Sequence, residues 1–141
     1  MIDRSPPSAP AVLVTSAIAA GGMLAHNVLE LGPAFLLDPQ TLIPLAIFAA
    51  LAILAARGSA GRATWLTLFA WSALNLVAGG ILSVLPIGLF PFQPEQSLQH
   101  YAVHALYALA SVPLVVVAWS GIQASRTRSA GANVPHPSDV G

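Results

Sequence analysis

Apolar runs long enough to cross a bilayer, separated by short polar or proline-bearing breaks, set the pattern of this chain. Residues 11–31 are apolar apart from Thr15, Ser16, His26, Asn27 and Glu30. About 20 apolar residues suffice to cross a ~30 Å hydrocarbon core, so this run predicts helix 1. Gly32-Pro33 stops it, and Asp38-Pro39 reads as an N-cap followed by proline at the first helical position, which predicts helix 2 over 39–56. The polar turn 57–62 separates it from helix 3, expected over 63–85 and closed by Pro86. Pro91 and Pro94 break up the segment that follows, and helix 4 is expected over 98–122. Pro113 predicts a kink in it, with a freed carbonyl that needs a partner. The proline-bearing lead 1–10 and the Ser-, Arg-, Gly- and Pro-rich tail 123–141 are expected to be disordered.

Composition agrees with the pattern. The 141 residues are 56% hydrophobic and only 7% charged, against roughly 25% charged in soluble chains, too little charge to cover a water-soluble fold. The expected fold is therefore an all-α integral membrane four-helix bundle, antiparallel between neighbours because the loops are short. Absence of cysteine removes disulfides, thiolate metal sites and cysteine nucleophiles. Zero formal net charge and the lack of lysine argue against nucleic acid as a partner. The partners expected are the lipid bilayer and either further copies of the chain or a membrane complex.

Orientation follows from the arginines, because short cytoplasmic loops retain positive charge. Arg4 precedes helix 1, Arg57 and Arg62 lie between helices 2 and 3, and Arg126 and Arg128 follow helix 4. Only a topology with both termini in the cytoplasm places all five on one side. Trp65 and Trp119 then fall at the inner interface, and Phe90, Phe92 and Tyr101 at the outer one. All basic residues being arginine suggests a GC-rich bacterial genome, hence a multi-pass protein of a bacterial inner membrane. A competing reading takes Arg4, the apolar run 11–18 and Ala17-Ile18-Ala19 as a cleaved signal peptide. The apolar stretch continues well past that site.

A short internal echo is present. Ala20-Gly21-Gly22-Met23-Leu24 in helix 1 matches Ala78-Gly79-Gly80-Ile81-Leu82 in helix 3, and Pro39-Gln40-Thr41-Leu42 matches Glu95-Gln96-Ser97-Leu98. Parallel repeats build some membrane bundles, although short matches arise by chance in Ala- and Leu-rich chains. The Gly-Gly pairs have no strand before them and read as close helix contacts.

A charge at mid-membrane costs on the order of 2.5–3.5 kcal/mol, so polar side chains in spanning helices normally face the bundle interior. Helix 1 offers His26, Asn27 and Glu30; helix 3 offers Ser72, Asn75 and Ser83; helix 4 offers His100, Tyr101, His104, Tyr107 and Ser111. Helix 2 offers none between Leu42 and Ala56, which predicts that it faces lipid. Three- and four-residue spacing draws these residues into one polar or small stripe on each of helices 1, 3 and 4. At 1.5 Å per residue His26 lies about 22 Å above the start of helix 1, while His100 and His104 lie within roughly 10 Å of the outer surface. His26, Asn27, Glu30, Asn75, His100 and His104 are therefore expected to form a polar cluster in the outer half, able to serve as a ligand or proton site.

Of these, His26, Glu30, His100 and His104 would be the ligand set if a zinc, iron or copper ion bound, and two facing histidines could hold a haem. No cofactor is required by the sequence. Glu30 and Glu95 are the only glutamates, and there is no Gly-rich phosphate loop or nucleophile elbow, so catalysis finds little support. His136, in the tail between prolines, takes no part in the cluster. The layout resembles that of many small bacterial membrane families, the DoxX-like proteins among them, a likeness of architecture that carries no function. The leading expectation is a non-catalytic accessory subunit or small-molecule binder; the alternative is a metal- or haem-binding redox or transport protein.

Overall fold

Serine, aspartate and proline at the breaks start the helices of this computed structural model, which describes residues 5–86 and 95–131, with side chains to 127. Ser8 caps α1 (Ala9–Leu31) by accepting from the Ala11 N–H at 3.4 Å, and Gly32 ends it at φ +88°, a left-handed conformation natural to glycine. A short 3-10 turn, Pro33–Leu37, leads to Asp38, whose carboxylate accepts from the Gln40 N–H at 2.8 Å to cap α2 (Pro39–Ala56). α3 (Arg62–Leu74) passes into a π-helical turn, Asn75–Ile81, and a 3-10 turn, Leu82–Val84. α4 spans Leu98–Gly131. All four helices are long and apolar enough to cross a membrane when α3 is taken with its extension to Val84. The fold is all-α, as the periodicity requires.

α4 is the centre of the arrangement: α1 packs on one side of it and α3 with its π turn on the other, while α2 completes the bundle against α1 and α3. The core runs along these seams through Val12, Ala19, Met23, Phe48, Leu68, Leu114 and Ile122. Leu13, Val14, Ile18, Ile43, Ile53, Leu66, Leu109 and Val116 point outward, an apolar coat suited to lipid rather than water. Glycines set the spacing. A Cβ on Gly22 of α1 would stand 2.5 Å from Ala110 Cβ, and one on Gly80 would stand 2.8 Å from Ala108 Cβ and 2.9 Å from its Cα. One glycine of each echoed pair, Gly22 and Gly80, thus meets the same turn of α4.

Several expectations change. α4 was expected to end at 122, with a disordered tail from 123; it continues nine residues further, to Gly131. Loss of hydrophobicity is not loss of helix: no proline intervenes, Ala124 and Ser125 are buried, and the Ser125 and Thr127 hydroxyls bond back to Ile122 O and Ala124 O at 2.8 and 2.9 Å. Ala9 and Pro10, assigned to the lead, form the first turn of α1. Trp65, in the first turn of α3, packs inside the bundle at 1% exposure, where Gly121 leaves room: a Cβ there would stand 2.2 Å from the indole. Trp119 is exposed, as is Tyr101. Helix 3 is not a continuous α-helix to residue 85. Arg4, Phe90, Phe92, His136 and the side chain of Arg128 lie outside the described residues.

Adjacent glycines give a direct test of the seam. Gly22→Ala is expected to destabilise the bundle by about 1–3 kcal/mol, because Ala110 Cβ is fixed to its backbone and α1 must move off α4. Gly21 has nothing within 4 Å of a Cβ position, so Gly21→Ala is expected to be neutral or slightly stabilising. Unfolding of the two variants in mixed micelles measures the difference.

Candidate functional site

Toward the end of the bundle away from the termini, the seam between α1 and α4 turns polar. His26 of α1 and His104 of α4 meet edge to edge, Nε2 to Nε2 at 3.0 Å, with ring centroids 4.3 Å apart. On its other side the His26 Nδ1 faces Asn27 Oδ1 at 2.9 Å, and the Asn27 amide reaches Thr41 Oγ1 of α2 at 2.7 Å. His104 Nδ1 faces the carbonyl of Gly79 at 2.8 Å and the Ser83 hydroxyl at 3.0 Å. Ser83 also donates to Gly79 O at 2.6 Å. One unbroken chain of polar contacts therefore joins α2, α1, α4 and the segment after α3.

A second pair lies beside it. His100 is one turn before His104 on α4, their rings 4.4 Å apart, and its Nδ1 meets Glu30 Oε2 of α1 at 2.7 Å. Both side chains are largely enclosed, at 10% and 15% exposure. The other imidazole nitrogen, His100 Nε2, is buried with no hydrogen-bond partner among the described residues. Below His26, the Tyr107 hydroxyl donates to Asn75 Oδ1, and the Asn75 amide donates to Trp71 O at 2.8 Å.

Local sequence explains why these groups meet. His26 and Glu30, like His100 and His104, are spaced four residues apart and so stack on one helix face. Gly22 lets α1 approach α4 one turn away from His26. The π turn widens α3 at Asn75–Ile81, and Gly79 within it turns its carbonyl onto His104; single π turns inside helices recur at functional sites. A Cβ on Gly79 would stand 2.7 Å from the Tyr107 ring, so the same glycine admits both Tyr107 and His104.

Of the residues singled out from the sequence, His26, Asn27 and His104 form one network, Glu30 and His100 an adjoining pair, and Asn75 a separate bond with Tyr107 nearby. Thr41, Ser83 and the Gly79 carbonyl were not in that set. Thr41 is fully buried and is what ties α2 to the network, so α2 is not wholly a lipid-facing helix. The available signal was its position as a polar residue three places after the Asp38 cap. A backbone carbonyl has no residue type to give it away.

Among the described residues no three His, Cys, Asp or Glu side chains are placed to hold a metal ion. His26 and His104 are turned onto each other, and Glu30 onto His100. A separate groove of about 430 Å³ lies between α1 and α2, lined by Leu13, Ala17, Leu45, Phe48 and Ile53, with Ser16 as its polar residue. No protein-family model, curated protein or solved structure matches this chain. The fold and cluster define a four-helix protein of membrane-spanning character with a buried polar site.

Tyr107→Phe is expected to destabilise the fold by about 0.6 kcal/mol and at most ~1.7 kcal/mol, the range of side-chain hydrogen bonds between membrane helices. Tyr101→Phe, at an exposed position, should change stability less. Parallel denaturation curves of the two variants provide the check.

Proposed function

We propose that this chain is a small polytopic protein of a bacterial inner membrane, with both termini in the cytoplasm. In this reading it acts without catalysis, as an accessory subunit or small-molecule binder whose polar cluster opens toward the outer face. The observation that carries the binder reading is His100 Nε2, a buried imidazole nitrogen without a partner among the described residues, in a cluster whose other imidazole nitrogens all have one. A buried polar atom in that condition costs about 1–3 kcal/mol, which a ligand satisfying it returns as affinity. With Nδ1–H donated to the Glu30 carboxylate, Nε2 presents a lone pair. The ligand that fits is small and carries an O–H or N–H donor.

The same nitrogen supports the runner-up, a metal- or haem-binding redox or transport protein, since imidazole Nε2 is a common axial or metal ligand. An optical spectrum and metal analysis of the purified protein decide between them. The binder reading expects a colourless, metal-free protein, stabilised by its ligand in the wild type and not in His100→Leu. A Soret band lost on changing His26 or His104 would establish the alternative. Orientation is tested on a single cysteine introduced at Ser59, between α2 and α3, in a chain that has no other. It is expected to react with an impermeant thiol reagent only after the membrane is opened; labelling of intact cells would reverse the topology.

A further inference from the structure

Proton positions along the contact chain can be worked out from which atoms are able only to accept. Gly79 O is an acceptor, so the His104 Nδ1 that faces it at 2.8 Å carries hydrogen. In a neutral imidazole the other nitrogen is then bare, and His104 Nε2 accepts. His26 Nε2, 3.0 Å away, must donate to it. If His26 is neutral, its Nδ1 is bare, yet that atom faces Asn27 Oδ1, another acceptor, at 2.9 Å. With the Ser83 hydroxyl committed to Gly79 O at 2.6 Å and His104 Nδ1–H kept on that carbonyl, two arrangements remove this conflict. Either His26 carries hydrogen on both nitrogens, so that the two rings together hold one proton beyond neutrality, or the Asn27 amide is reversed. In the reversed form Nδ2 donates to His26 and the Thr41 hydroxyl donates to Oδ1, an exchange of nearly isosteric ends.

We propose that His26 and His104 bind one proton as a shared pair, and that its uptake and release are coupled to reversal of the Asn27 amide against Thr41 of α2. This rests on reading the cluster as a binding site, and it names the proton as one of its ligands. In the loaded state the three N–H groups of the pair point at Asn27 Oδ1, His104 Nε2 and Gly79 O, each within 3.0 Å of its donor nitrogen. In the empty state every one of these contacts survives with the amide turned over and the Thr41 hydroxyl swung from acceptor to donor. Neither state leaves a polar atom of the two rings buried without a partner.

His100, with the Glu30 carboxylate 2.7 Å from its Nδ1, is the competing seat for the proton. As an imidazolium it would bury an Nε2–H with no acceptor among the described residues, whereas in its neutral form it buries only a lone pair. The titratable groups facing the pair are Glu30 of α1 and His100 of α4, both beside His104, with the Tyr107 phenol of α4 beside His26 at 5.4 Å between ring centroids. The described contacts from the segment after α3 and from α2 are uncharged: Gly79 O, Ser83 and, through Asn27, Thr41.

The test is ¹⁵N NMR of the full-length, histidine- and asparagine-labelled protein in micelles or bilayers across pH. The first proton taken up is expected to move the His26 and His104 ring resonances at one common midpoint. The Asn27 side-chain amide should move at the same midpoint, and the His100 ring should not. Asn27→Asp places a fixed acceptor against His26 Nδ1 and is expected to raise that midpoint by one unit or more, a tenfold gain in proton affinity. The wild-type titration alone suffices if the variant folds poorly. Separate midpoints for His26 and His104, first uptake at His100, or an Asn27 amide that does not respond would each overturn the proposal. A Soret band or stoichiometric metal in the same sample would instead remove the binder reading, so the two failures are told apart.

Discussion

A polar group on a helix surrounded by hydrocarbon cannot turn to water, so it must find its partner on another helix or on its own backbone. Nearly everything particular about this structure follows from that constraint acting on the α1–α4 seam. Three histidines, a glutamate and a tyrosine sit on α4 or face it, and each reaches a group on a different element. Their bonds can form together only if α4 lies between α1 and the π turn at close range. Gly22 and Gly80, pressed on Ala110 and Ala108, allow that range.

The energetic role of the network is to select one arrangement. Hydrogen bonds between membrane helices contribute about 0.6 kcal/mol on average, so the pairs here add only a modest sum to the packing of Trp65, Leu68, Phe48 and Leu114. Leaving one of them open inside the bundle costs more, about 1–3 kcal/mol for a buried polar group. A rotation of α4 that breaks the His104 contacts therefore orphans atoms on α1 and after α3 at once. The π turn belongs to the same account: Asn75 holds Trp71 O, and Gly79 O is left pointing sideways, where His104 uses it.

The proposed function rests on satisfaction that is incomplete or degenerate. His100 Nε2 is incomplete among the described residues, a buried nitrogen that a donor-bearing molecule would complete. The Asn27–Thr41 link is degenerate, since an amide and a hydroxyl can run their bonds in either direction. α2 joins the network through this link, so a change in proton count between α1 and α4 is felt at the first turn of α2. The flexible direction of one amide is thus the means by which the seam can communicate with the helix least bound to it.

Hydropathy and helix punctuation were enough to determine four helices and their breaks, because twenty-residue apolar runs, N-capping aspartate and helix-stopping Gly-Pro act locally along the chain. Four-residue spacing likewise made the His26/Glu30 and His100/His104 stripes legible, since both members of a pair project from one helix face whatever else surrounds it. The end of α4 was misjudged because residues 123–131 are polar yet helix-compatible, and hydrophobicity marks where a membrane stops, not where a helix does. That Trp65 packs inside the bundle could not be read from the sequence, because its burial depends on Gly121, fifty-six residues away, having no side chain. Which histidine faces which, the recruitment of Thr41, and the use of the Gly79 carbonyl were decided only by the tertiary structure. Those choices depend on distances between helices, and the spacing of residues within a helix carries no information about the distance to its neighbour.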